Sequence, residues 1–132
     1  MGNITCRWRD GFDNAAINRL HAEAFSHDLL DEDWWTQVNQ HSLGWVCAWD
    51  SDFLVGFVNV AWDGGVHAFV LDTMVRKGHR RRGIATRMIE ICVAEARLRR
   101  CEWLHVDFEK DLAGFYLETC GFSVTPAGLI GL

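Results

Sequence analysis

The stretch from Val66 to Arg97 constrains this chain more than any other, because it sets a strand, a basic loop and an amphipathic helix in direct succession. The run Val66-His67-Ala68-Phe69-Val70-Leu71-Asp72-Thr73-Met74-Val75 carries β-branched and aromatic residues on both alternating faces, as a strand buried on two sides does. Downstream, Ile84, Ala85, Met88, Ile89, Cys92 and Ala96 recur at helical spacing, with Arg87, Glu90 and Arg97 off that stripe. Between the two lie Arg80, Arg81 and Arg82, then Gly83 where the helix begins. No Ser, Thr, Asp or Asn is placed to cap that helix, so its first N–H groups lack a side-chain partner. Free N–H groups, the positive end of a helix dipole and three arginines describe an anion site, with a diphosphate as its natural occupant.

A chain of 132 residues reads as one domain, 1–132, large enough to bury roughly two-thirds of its unfolded surface. No apolar run approaches the roughly 20 residues of a membrane span, so no membrane partner is expected. Met1-Gly2-Asn3-Ile4-Thr5 lacks the basic and apolar regions of a secretory leader, and Cys6, Cys47, Cys92, Cys101 and Cys120 show no C-x-x-C pairing. These cysteines read as reduced, mostly buried small hydrophobes of a cytoplasmic protein. His67 and His79 lack metal-ligand spacing, so no metal is expected; His21, His27 and His41 read as surface residues. A net charge of −5 argues against nucleic acid as partner. Acid overall and base at one loop fits an anionic cofactor with a cationic substrate.

In order, Ile4 to Trp8 reads as a strand and Asn14 to Phe25 as a helix with Ala15, Ile17, Leu20 and Ala24 inside. The acidic stretch that follows leads to a short second helix capped by Asp31 or Asp33, with one tryptophan of Trp34 and Trp35 in the core. A second reading makes Asp31, Glu32, Trp34 and Trp35 one wall of a cleft for an amine, through charge and cation–π contact. Trp45 to Trp49 and Phe53 to Trp62 form a hairpin through Asp50-Ser51-Asp52, with Gly56 marking a bulge or close approach. Trp8, Trp45, Trp49, Trp62 and Trp103 fall on strands and read as core. Glu102 to Asp107 is a strand parallel to the central one, since a crossover helix precedes it. Lys110 to Cys120 reads as a helix ended by Gly121, with Phe122 folding back onto Leu117. Ser123 to Thr125 and Leu129 to Leu132 read as a short terminal hairpin.

The loop spacing is neither the G-x-x-x-x-G-K-[ST] of P-loops nor the G-x-G-x-x-G of dinucleotide folds. Arg80-x-x-Gly83-x-Ala85, with Val75 before it and Phe115-Tyr116…Cys120-Gly121-Phe122 after it, resembles the signature of the GNAT superfamily of N-acetyltransferases. The resemblance covers most of the chain from Gly44 onward. It implies an α/β fold: a mixed, mostly antiparallel sheet flanked by helices, with a central parallel strand pair that splays. It implies acetyl-CoA as acetyl donor, held by Met74, Val75, Arg80, Arg81, Arg82, Gly83, Ile84, Ala85 and Thr86. Glu109 stands where the family often has an asparagine, which puts one cofactor contact in doubt, since a carboxylate cannot donate as an amide does.

Amide formation from a thioester requires a neutral amine, whereas an alkyl ammonium titrates near 10, together with a proton for the leaving thiolate. Tyr116 is the chain's one tyrosine, and the resemblance makes it the general acid. Asp72 is the odd residue of an apolar strand, so it is paired or faces a cleft; the resemblance gives it a part in binding or deprotonating the amine. Asp107 ends the neighbouring strand, at the sheet edge where α/β proteins bind ligands. His105 alternates with Asp107 on one face, so a His–Asp pair is expected there, and Glu109 and His105 are weaker candidates. The expected activity is acetyl transfer to a primary amine of a small cationic metabolite or antibiotic, by direct attack in a ternary complex. The alternatives are a protein amine as acceptor and a non-catalytic acyl-CoA-binding module. A tRNA-directed toxin would need a basic groove that the charge does not supply. The short C-terminal hairpin leaves the acceptor side open or completed by a second copy in a homodimer.

Overall fold

A computed structural model describes residues 3–132. Five strands form one mixed sheet in sequential order: β1 (Ile4–Trp8), β2 (Ser42–Asp50), β3 (Phe53–Trp62), β4 (His67–Val75) and β5 (Trp103–Val106). The first four run antiparallel to their neighbours, and β4 pairs with β5 in parallel. Three helices cover it: α1 (Asn14–Phe25), α2 (Trp34–His41) and α3 (Ile84–Leu98). The sequence places β1, α1 and β3 at these bounds; β2 starts earlier than the tryptophan pattern indicates, because Leu43 and Gly44 are buried too.

Alternation along β2 explains the layers. Val46 and Ala48 point toward α3, whose Ile84, Met88, Ile89 and Cys92 complete one core. Trp45 and Cys47 point to the other face and meet Ile17, Leu20, Trp34 and Val38 of α1 and α2. On α1, Ala15 is exposed rather than inside; Asp13 caps the helix by accepting from the Ala15 N–H at 3.0 Å. Gly56 does sit at a close approach: a Cβ there would lie 3.1 Å from Ala48 Cβ and 3.2 Å from Met88 Cε.

Four expectations need correction. Lys110–Cys120 is not an α-helix but a 3₁₀ turn (Lys110–Leu112) followed by a π-helical turn (Gly114–Thr119). Gly114 weakens regular helix between them, and the wider turn is closed by Cys120 N–H donating to the Phe115 carbonyl at 2.9 Å. Phe122 N–H donates to the Tyr116 carbonyl at 3.0 Å, so Phe122 folds back onto Tyr116 rather than Leu117. No hairpin forms after Gly121. Residues 121–132 have no regular structure, and Val124, Leu129, Ile130 and Leu132 are exposed; such short segments, broken by Pro126, Gly128 and Gly131, lack the apolar face a hairpin needs. Finally, Trp62 and Trp103 are not core. Trp103 is 63% exposed, because β5 is the last strand of the sheet and α1 and α2 cover β2, β3 and β4 instead.

Candidate active site

The site follows from how β4 and β5 part. Their pairing runs from His67 with Trp103 to Val70 with Val106 and goes no further. On the other side of β4, Phe57 pairs with Met74 and Asn59 with Leu71, so β4 carries one residue more than β3 across this step. That bulge holds Asp72 in the left-handed region at φ 56°, a conformation that aspartate tolerates better than most residues. Beyond it opens a cleft of about 630 Å³ walled by Thr73, Met74 and Val75, by the basic loop, and by Phe115 and Tyr116.

At one end lies the start of α3. Gly83 is its cap residue at φ 77°, with no side-chain hydrogen bond to the helix. The first helical bond runs from Arg87 N–H to the Gly83 carbonyl at 3.1 Å, so the N–H groups of Ile84, Ala85 and Thr86 precede the helical ladder. A Cβ on Gly83 would meet nothing within 4 Å; the backbone angle, not crowding, is what calls for glycine. Arg80 donates from Nε to the Val75 carbonyl at 3.1 Å, tying the loop to the end of β4. Met74, Val75, Arg80, Arg81, Gly83, Ile84, Ala85 and Thr86 all border the cleft, whereas Arg82 is exposed and does not. His79 borders it as well, which its sequence context does not reveal. Its Nε2 lies 2.8 Å from Asp50 Oδ2 on the β2–β3 turn, and its Nδ1 is buried without a partner among the described residues. Unpartnered N–H groups and two bordering arginines fit a diphosphate-bearing group. Glu109 and Asp111 bring acid to the opposite rim.

Tyr116 is 5% exposed. Phe108 stacks on its ring at 5.1 Å, and Phe115 and Phe122 meet it edge-on at 4.8 and 5.9 Å. Burial pushes its phenol above the ordinary value of 10, a hydrogen bond with the Thr73 side chain draws it partly back, and Cys120, Cys92 and Asp107 raise it further. The hydroxyl therefore keeps its proton through neutral pH.

Asp72 is half-buried, and desolvation raises its carboxyl above the ordinary 3.8, offset in part by the His21 ring, whose Nε2 lies 3.5 Å from Oδ1. His21 was expected at the surface. It is packed between Phe25 and Trp34 at 4.6 and 5.2 Å, and His27 reaches its other nitrogen at 2.6 Å. The spacing of His21 and Asp72 along the chain carries no sign of their contact, because they meet only across the bulge. Asp107 lies one residue past β5 and is exposed, close enough for its charge to act on Tyr116. The expected His105–Asp107 pair is replaced by another: His105 Nε2 lies 2.7 Å from His67 Nδ1, and the His105 ring stacks on Phe69 at 4.5 Å.

The acidic stretch is largely spent on structure. Asp33 accepts from the Thr36 hydroxyl at 2.8 Å, from the Thr36 N–H at 3.1 Å, which caps α2, and from Asn14 at 3.0 Å, and these bonds hold its carboxyl below the usual range. Buried Asn18 accepts from the Glu32 N–H and the Trp34 indole N–H at 3.2 and 3.1 Å. Trp34 is thus core, and Trp35 packs edge-on against Phe12 and Trp45. Asp31 and Glu32 are exposed, and none of these four residues borders the cleft. Among the described residues all five cysteines are free; Cys47 and Cys92 are buried and the other three half-buried.

The sequence profile described as the acetyltransferase (GNAT) family matches residues 10–122. No curated protein sequence matches. Among solved structures, a GNAT family acetyltransferase of Streptococcus pneumoniae TIGR4 superposes with a TM-score of 0.79 at 21% identity, covering 98% of each chain. The glucosamine-6-phosphate N-acetyltransferase of Arabidopsis thaliana gives 0.80 at 11% identity, again over 98% of each chain. Aminoglycoside N-acetyltransferase AAC(6')-Iy, solved with CoA, gives 0.78 at 14% identity over 100% of this chain and 95% of its own. Likeness at these identities establishes the shared fold. Among the described residues, no helix is long and apolar enough to cross a membrane.

Proposed function

The chain belongs to the acetyltransferase (GNAT) family, and on that premise we propose that it transfers an acetyl group from acetyl-CoA to a primary amine of a small cationic molecule. One observation carries the reading: a single cleft joins the unpartnered N–H groups opening α3 to a buried phenol that keeps its proton. The backbone of Gly83 to Thr86, with Arg80 and Arg81, would hold the diphosphate, and Met74 and Val75 would flank the arm that follows it. Acetyl-CoA supplies an activated acetyl thioester.

The chain's own residues divide the proton work. Asp72, with a raised carboxyl at the bulge, takes a proton from the incoming ammonium and leaves the electron pair on nitrogen. Tyr116 holds at Oη the proton available to a leaving thiolate, and the Thr73 side chain orients that hydroxyl. Asp107, exposed past β5, adds negative charge on the acceptor side. Glu109 and Asp111 at the rim, and Asp31 and Glu32 on the loop before α2, favour a cationic acceptor by charge. Trp34 and Trp35 shape that side by packing. The thiols give no competing route: Cys47 and Cys92 are buried, and burial raises all five above the ordinary thiol value.

The test is CoA release from acetyl-CoA across a panel of small cationic amines and amine-bearing peptides. Release with a small amine supports the reading. Release with peptides alone moves the acceptor to proteins, and acetyl-CoA binding without release for any amine leaves a non-catalytic module.

A further inference from the structure

We propose that His21 and His27 form a two-ring proton acceptor behind Asp72, in which His27 sets the tautomer of His21 and His21 takes over the proton that Asp72 removes from the amine. The proposal rests on the reading of Asp72 as the group that deprotonates the acceptor.

The argument starts at the far end. His27 Nδ1 lies 2.6 Å from the carbonyl oxygen of Asp28. A carbonyl only accepts, so His27 Nδ1 carries a hydrogen. In the neutral ring Nε2 is then bare, and it lies 2.6 Å from His21 Nδ1. His21 Nδ1 must therefore donate, which leaves His21 Nε2 bare in its own neutral ring. That bare nitrogen faces Asp72 Oδ1 at 3.5 Å. Two neutral imidazoles have two ring protons, and both are used by the first two links. The third link, between His21 and Asp72, stays empty until a further proton arrives.

The proton from the amine fills it. An N–H bond of the ammonium breaks with its electron pair left on nitrogen, and the proton binds a carboxylate oxygen of Asp72. It then passes to His21 Nε2, giving an imidazolium beside a carboxylate, with no change in total charge. His27 Nε2 continues to accept from the His21 Nδ1–H and so stabilises the cation, as an orienting partner does for a catalytic histidine. Release of this proton to water restores both rings to their starting tautomers.

The surroundings leave few competitors. From α1, Glu23 is engaged by the Lys77 N–H at 2.7 Å, and Phe25 presents an uncharged ring. From α2, Trp34 packs on His21. On β4, Thr73 is bonded to Tyr116, which is neutral. Among the described residues the His21 ring is the titratable group that lies against the Asp72 carboxyl.

Nitrogen NMR of the ¹⁵N-histidine-labelled protein, without acetyl-CoA, reads the tautomers directly. The expected spectrum has hydrogen on Nδ1 of both His21 and His27 in their neutral forms, and Asp72→Asn should move the His21 signals far more than those of exposed His41. Hydrogen on Nε2 of neutral His21 or His27 overturns the proposal. Kinetics give the second arm: His21→Gln should lower kcat by about tenfold or more and alter the acidic limb of the pH profile, with acetyl-CoA affinity retained. His27→Gln, whose amide oxygen still accepts, should preserve more activity than His27→Leu. An Asp72→Asn variant with wild-type kcat/KM overturns both this proposal and the reading of Asp72. An impaired Asp72→Asn beside a fully active His21→Gln overturns this proposal alone.

Discussion

Val70 and Val106 are the last paired residues of β4 and β5, and beyond them the two parallel strands separate. β5 ends there, while β4 continues through the Asp72 bulge to Val75. The loss of pairing leaves room that groups from three other places reach: the start of α3, the π-helical turn with Tyr116, and the end of α1. Where a parallel pair stops therefore decides where the cleft of this fold lies, at the carboxyl edge of the sheet.

Gly83 tests the anion end. Its φ of 77° costs a residue with a Cβ roughly 1–2 kcal/mol, although no atom obstructs that Cβ. Gly83→Ala should therefore weaken acetyl-CoA binding modestly, and Gly83→Asp, which adds a negative charge at the helix start, by more than about tenfold. Calorimetric titration of folded variants measures both. Wild-type affinity in Gly83→Asp would remove the diphosphate from this loop.

Tyr116→Phe should lower turnover by about 10²–10⁴-fold while acetyl-CoA affinity changes little. Burial raises the phenol, so the wild-type alkaline limb should lie above pH 10 and vanish in the variant. A variant with full turnover and the same limb returns Tyr116 to a packing role.

Asp72→Asn separates stability from activity. The folded carboxyl titrates above its ordinary 3.8, chiefly because burial disfavours its charged form. Its contribution to stability is thus full below about 3.8 and lost as pH rises through the higher folded value. Asparagine carries no charge to bury and tolerates the φ of 56°. Relative to wild type, the variant's Tm should rise from pH 3.5 to pH 7 while its turnover falls. Asp107→Asn, at an exposed position, should change amine kinetics less and shift Tm little. A Tm difference for Asp72→Asn that is flat with pH, by scanning calorimetry, would contradict the assignment.

Direct attack predicts intersecting initial-velocity patterns and no acetyl-enzyme by intact mass. Cys92 is pushed up to about 12 by burial, and Cys120, near Tyr116, is raised as well. Cys120→Ala should keep turnover within about threefold, since its thiol has no thiolate character to offer. Parallel lines, or a mass increase of one acetyl group lost in that variant, would establish a covalent route.

Local pattern was enough for much of this protein. Helical spacing of Ile84, Met88, Ile89 and Cys92 fixed α3 and its buried face, and the residues beside Gly83 marked a helix start without a side-chain cap. The apolar run Phe53–Trp62 and the Asp50-Ser51-Asp52 turn marked a hairpin, since both signals depend on neighbours in the chain. The tail after Gly121 misled, because its apolar residues match a strand pattern but no strand lies beside them.

What only the tertiary structure decided are meetings across sequence distance. An extra residue in β4 is invisible until β3 supplies the register against which it is extra. That bulge turns Asp72 toward His21, fifty-one positions earlier, and makes a chain of the two histidines that their sequence context left at the surface. His79 and Asp50 meet in the same way, joining the β2–β3 turn to the cleft. Periodicity reports which face a residue takes on its own element. It is silent on partners, because hydrogen bonds and desolvation depend on distances of a few ångströms that only packing sets.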